Sequence, residues 1–174
     1  SELTPKSIGE VQHPEMLCED FKPEGEIFDN FLMNTVIPYV ENNFPVCTDR
    51  QNVAVCGSSS GGLMSFFSAF EHPAKFGYAG VFSPAFLCYT REDWAKYLST
   101  KIVENMPYLY IYTGNGDELE EMIFESTEML YELLEESFYP YDRMNEVILF
   151  ENAHNEKSWR EIFPDFLHTV LSRL

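Results

Sequence analysis

The most restrictive feature of this sequence is a short apolar run that stops at a glycine. Asn52-Val53-Ala54-Val55-Cys56 is followed at once by Gly57-Ser58-Ser59-Ser60-Gly61. A helical pattern then runs through Leu63, Phe66, Phe67 and Phe70 and ends near His72-Pro73. A continuous apolar run of this length suits a strand covered on both faces, as in a parallel sheet. A strand that turns directly into a helix needs a tight corner, and the residue at that corner stands free above the sheet edge. Residues 57–61 also fit G-x-S-x-G, which places Ser59 at the corner.

The rest of the chain repeats the alternation. Strands are predicted at Tyr78–Phe82, Tyr108–Tyr112 and Glu146–Phe150. Helices are predicted over 91–100, Leu119–Ser137 and Ser158–Leu174. The long acidic helix should turn Leu119, Ile123, Leu130, Leu133 and Leu134 inward and leave its glutamates to water. The closing helix should bury Trp159, Ile162, Phe163, Phe166 and Val170. Upstream, Ile27 to Asn43 reads as a helix that Pro38 kinks or restarts. Residues 1–26 form an irregular lead segment broken by prolines and glycines. The pattern predicts one α/β domain over 1–174, three-layered, with a mostly parallel sheet.

Charge and cysteine usage exclude several function classes. Eleven Lys+Arg stand against 29 Asp+Glu, a formal net charge of −18. Such a surface repels phosphate backbones and anionic membranes, so no nucleic acid and no membrane is expected as a partner. No segment approaches the ~20 apolar residues of a membrane span. Cys18, Cys47, Cys56 and Cys88 show no metal-ligand spacing and are expected as free thiols, with Cys56 a small buried hydrophobe. No metal and no cofactor is implied. A cytoplasmic location is the expectation.

In a parallel sheet, ligands bind at the carboxyl ends of the strands. The candidate residues lie there. Ser59 follows the first predicted strand, Asp117 the third and His154 the fourth. A serine nucleophile needs a base, and the base needs an orienter. Ser59, Asp117 and His154 occur in the chain order that α/β-hydrolases use. Glu118 is the alternative acid. The backbone N–H of Ser60, at the start of the helix, is a candidate oxyanion donor. Ser58, Phe86 and Tyr89 are candidate substrate-lining residues, whereas Phe82 reads as core.

The run Val53 to Gly62 resembles the elbow of the putative-esterase family of α/β-hydrolases, which includes esterase D, feruloyl and acetylxylan esterases and enterochelin-type siderophore esterases. The resemblance continues through His72-Pro73, Phe76-Gly77 and Val81 to Phe86. Upstream it takes in Val36 to Val40 with Asn43-Phe44, and downstream His154-Asn155-Glu156 with Trp159. It implies a serine carboxylesterase with Ser59 as nucleophile, His154 as base and Asp117 as acid, although the family often has Glu at the acid position. The implied substrate is a small acyl, feruloyl-like or catecholate ester.

Members of that family carry further strands before the elbow strand, and a loop that supplies a second oxyanion N–H. No strand is predicted in residues 1–51, so the fold is expected to be N-terminally truncated. Losing one donor costs on the order of 3 kcal/mol of transition-state stabilisation. The elbow strand should present an open edge, which predicts a homo-oligomer paired edge to edge. The alternative function is a non-catalytic or decayed α/β-hydrolase module acting in binding or oligomerisation.

Overall fold

The computed structural model describes residues 3–12, 21–102 and 105–173; the expectation for Cys18 lies outside them. Four strands form one parallel sheet: β1 (Ala54–Ser58), β2 (Tyr78–Phe82), β3 (Tyr108–Gly114) and β4 (Met144–Leu149), in the order β1-β2-β3-β4. The helices are α1 (Gly25–Phe31), α2 (Ile37–Asn43), α3 (Ser60–Glu71), α4 (Arg91–Lys101), α5 (Glu118–Glu136) and α6 (Glu156–Leu171). No strand occurs among the described residues of 1–51.

Strand periodicity divides the core in two. On β3, Leu109 and Ile111 join the larger cluster with Leu63, Phe66 and Phe70 of α3 and Leu130 and Leu134 of α5. Tyr108, Tyr110 and Tyr112 face the other way and pack with Phe82, Ile162 and Phe166 under α6. The sheet is thus sandwiched, and both β2 and β3 are buried at every position. This is the three-layer α/β arrangement expected from the alternation.

Local differences have physical causes. Residues 27–43 form a helix interrupted by a π turn at Leu32–Val36. Pro38 offers no N–H and its ring crowds the carbonyl four residues back, so the ladder widens just before it. Residues 3–12 of the lead segment are irregular yet docked: Ile8 is buried in the main cluster, and the Gln12 N–H donates to the Cys88 carbonyl at 2.8 Å. Cys56 is exposed, not buried, because β1 is an edge strand. Cys88 is the buried thiol, and burial pushes its pKa up to about 11.

The inner face of α5 is buried as expected at Ile123, Leu130, Leu133 and Leu134 and differs only in the first turn. Leu119 is 40% exposed, while Glu120 has no exposed surface. Asp117 caps the helix, and the face that meets the sheet runs through Glu120, Ile123, Thr127, Leu130 and Leu134. These positions recur at three- and four-residue spacing. On α6, Phe163 is also half-exposed, although its ring still meets Phe82.

Glu146 lies on β4, half-buried, beside Glu128 of α5 and with Glu135 nearby. Burial and these two carboxylates raise its pKa from 4.5 to about 7. The folded state therefore holds a proton that the unfolded chain has released, and stability falls as pH rises from about 4.5 to about 7. Glu146→Gln is expected to remove that part of the pH dependence, measured by urea unfolding at a series of pH values.

Candidate active site

Ser59 stands between the end of β1 and the start of α3 with φ 57° and ψ −124°. A non-glycine residue there is strained by about 1–3 kcal/mol, which persists only where the surroundings over-determine it. They do so here. The Ser59 N–H donates to the Phe82 carbonyl at 2.9 Å, and the Ser59 carbonyl accepts from the N–H groups of Gly62, Leu63 and Ala85 at 3.0, 3.1 and 3.1 Å. Gly57 is required by close approach: a Cβ on it would stand 2.5 Å from the Gly61 carbonyl oxygen. Ser60 is the first residue of α3, so its N–H belongs to the set that has no partner within the helix.

His154 lies on the loop after β4, held from two sides. Its Nε2 is 3.0 Å from Ser59 Oγ, and its Nδ1 is 2.6 Å from Glu120 Oε2. The residue on Nδ1 is therefore Glu120, which corrects the expectation for Asp117 and for Glu118. Asp117 does a different job. Its Oδ1 accepts from the Glu120 N–H and its Oδ2 from the His154 N–H, both at 2.8 Å. It caps α5 and ties down the backbone of the histidine loop. These two N–H donors hold its carboxyl below the usual carboxylate range.

Glu120 is buried and fully engaged. Its Oε1 accepts from the Gly114 N–H at 2.8 Å and from Ser83 Oγ at 2.6 Å. An indole N–H can only donate, and Trp159 Nε1 reaches Ser83 Oγ at 2.9 Å, so the serine proton points to Glu120. The Trp159 ring also meets the His154 ring edge-on, centroids 5.0 Å apart at 88°. The loops are brought together by a second close approach. Gly114 lies so near Asn152 that a Cβ would stand 2.2 Å from its carbonyl oxygen, and Gly116 N–H donates to that same oxygen at 2.8 Å.

Sequence reasoning missed Glu120, Ser83 and Trp159 as parts of one network. The signal for Glu120 was its place three residues before Ile123, a carboxylate at the head of an apolar helix stripe. Phe86 and Tyr89 do not line the site. Phe86 packs against Phe66 and Trp94, Tyr89 packs against Trp94, and its hydroxyl donates to the Pro5 carbonyl. Both are core, drawn in by aromatic packing under α4. Ser58, on β1 opposite Phe82, is half-buried. Beside His154, Asp117, Glu118, Leu119 and Met122 instead border an open hollow of about 460 Å³. No group of three or more potential metal ligands occurs among the described residues.

The geometry constrains the chemistry. A carboxylate on Nδ1 fixes the proton there and leaves Nε2 as acceptor for the Ser59 hydroxyl. The arrangement can withdraw a proton from a serine poised at a helix N-terminus, where developing negative charge is favoured.

Comparison with known proteins gives a consistent family. A family profile described as Putative esterase matches residues 17–170. An endo-1,4-beta-xylanase/feruloyl esterase of Xylanibacter ruminicola is 31% identical over 106 residues, 60% of this chain and 13% of that protein. The uncharacterized protein YbbA of Bacillus subtilis is 24% identical over 157 residues, 88% of this chain and 63% of that protein. The chain thus spans less than two thirds of these relatives. Among solved structures, the enterobactin esterase FES from Shigella flexneri superposes with a TM-score of 0.71 at 18% identity, covering 83% of this chain and 38% of that one. The siderophore hydrolase EstA from Aspergillus nidulans gives 0.69 at 20% identity, covering 95% and 65%. These likenesses establish the α/β-hydrolase fold. No helix among the described residues is long and apolar enough to cross a membrane.

Because Asp117 caps α5 and tethers the histidine loop, Asp117→Ala should lower stability by about 1 kcal/mol. Gly57→Ala should cost more, since its Cβ has no room. Denaturant unfolding of the two variants beside the wild type checks both.

Proposed function

The chain belongs to the putative-esterase family, and from that premise we propose that it hydrolyses carboxylic esters through Ser59, His154 and Glu120. One observation carries the reading: His154 bridges the Ser59 hydroxyl and a buried carboxylate, at 3.0 and 2.6 Å. Ser59 Oγ attacks the ester carbonyl while His154 Nε2 takes its proton. Glu120 holds the imidazole in the required tautomer and stabilises the imidazolium that forms. The Ser60 N–H, at the amino end of α3, serves the oxyanion. His154 then protonates the departing alcohol, and water admitted to the same site hydrolyses the acyl-enzyme.

The hollow beside His154 favours an uncharged acyl or alcohol group. Leu119 and Met122 offer apolar walls, and Asp117 and Glu118 repel a carboxylate. An aromatic acid ester of the feruloyl or catecholate kind fits that lining, consistent with what the related feruloyl and enterobactin esterases are named for.

The test is p-nitrophenyl acetate hydrolysis with active-serine labelling by a fluorophosphonate. Ser59→Ala is expected to lose both turnover and label. Glu120→Ala should lower kcat on the order of 10³-fold or more, as expected for loss of the histidine's orienting acid. Asp117→Ala should retain most of the activity at temperatures where it stays folded. Equal losses in the two acid variants would contradict the assignment of Glu120, and undiminished turnover in Ser59→Ala would remove the nucleophile.

A further inference from the structure

The opposite end of the sheet carries a charge pattern that runs against the rest of the molecule. The chain has eleven Lys+Arg and a net charge of −18, yet Arg50, Arg143 and Arg173 border one hollow of about 270 Å³. It opens at the amino ends of β2 and β3, beside Tyr78 and Tyr108, remote from Ser59 and His154 at the carboxyl ends. The arginines come from three separate places: the turn before β1, the turn before β4, and the segment just after α6. Asp142 also borders the hollow, but no ion pair joins a carboxylate to any of the three among the described residues.

Two of the arginines are fixed by backbone carbonyls. Arg50 donates through Nε to Pro73 and through Nη2 to Asn105 and Met106. Arg143 donates through Nη1 to Met106 at 2.8 Å. Arg173 lies over the Tyr108 ring, 3.9 Å from its centroid. That leaves Arg50 Nη1, Arg143 Nε and Nη2, and the Arg173 guanidinium with no hydrogen bond among the described residues. Carbonyl dipoles hold the side chains in place but do not neutralise them. Burial and the neighbouring Arg143 together push the Arg50 guanidinium below its ordinary pKa, so these two like charges lie close enough to oppose each other.

Three guanidinium groups and one carboxylate leave two positive charges, set in a concave site with free planar donors. Arginine forks match the oxygens of phosphate and carboxylate groups. We propose that this hollow binds a doubly charged oxyanion, a phosphate group or a small dicarboxylate, held by Arg143 and Arg173 against Arg50. The distant acidic surface opposes it only weakly, because charges beyond about 8 Å are screened at physiological salt.

Calorimetric titration of the full chain with inorganic phosphate, and separately with malonate, tests this at physiological ionic strength. At least one should bind saturably at one site per chain. Preference for phosphate identifies a tetrahedral ester as the natural group, and preference for malonate a dicarboxylate. Arg173→Gln, an exposed position, should weaken binding ~10-fold or more without changing the unfolding midpoint. Arg143→Lys, which keeps the charge but loses the fork, should weaken it as well. Lys157→Gln, at the far end of α6, should bind as the wild type does. Absence of saturable binding by both anions, or unchanged affinity in both arginine variants, would overturn the proposal.

Discussion

The Glu120 carboxylate is the interaction on which the site depends. It has no exposed surface, and a buried charge is tolerable only where donors replace the water it has lost. Three donors do so, and each comes from a different part of the fold: Gly114 at the end of β3, Ser83 after β2, and His154 after β4. Satisfying one carboxylate therefore fixes three loops relative to α5. Ser59 is then set by its own elbow, whose N–H is held by the last residue of β2. The histidine meets the serine because both are referred to the same strand ends.

Around this centre, the neighbouring groups act as supports. Trp159 touches the system twice, through its indole N–H on Ser83 and its ring against His154. Asp117 secures the backbone on either side, capping α5 and holding the His154 N–H. Helix α6 serves both ends of the sheet. Its first turn carries Trp159, its middle seats Phe166 on Tyr110 and Phe82, and Arg173 follows its last turn.

Much of this was legible in the sequence, for identifiable reasons. The apolar run before Gly57 and the glycine-serine turn could form little else than a strand turning into a helix. Ser59 and His154 were expected to meet because each follows a strand and parallel strands bring their carboxyl ends together, and their side chains stand 3.0 Å apart. The carboxylate on the His154 ring was not expected at Glu120, because Asp117 sits where a strand-end acid was sought. Only the tertiary structure shows that its oxygens go to backbone N–H groups. The first turn of α5 decides the matter: Ile123, Leu130, Leu133 and Leu134 face inward as the periodicity implies, and Glu120 rather than Leu119 continues that face toward the amino end. Phe86 and Tyr89 were misplaced for a related reason: aromatic residues near an elbow read as pocket or core until their neighbours are known. The arginine hollow gave no sequence signal at all, since Arg50, Arg143 and Arg173 are far apart along the chain.

The most direct test of the central claim is proton NMR of the imidazole of His154. A short hydrogen bond to a buried carboxylate should give a far-downfield Nδ1 proton, protected from exchange with water. This resonance is expected in the wild-type chain, absent in Glu120→Gln and retained in folded Asp117→Asn. Its loss in Asp117→Asn together with its survival in Glu120→Gln would contradict the account.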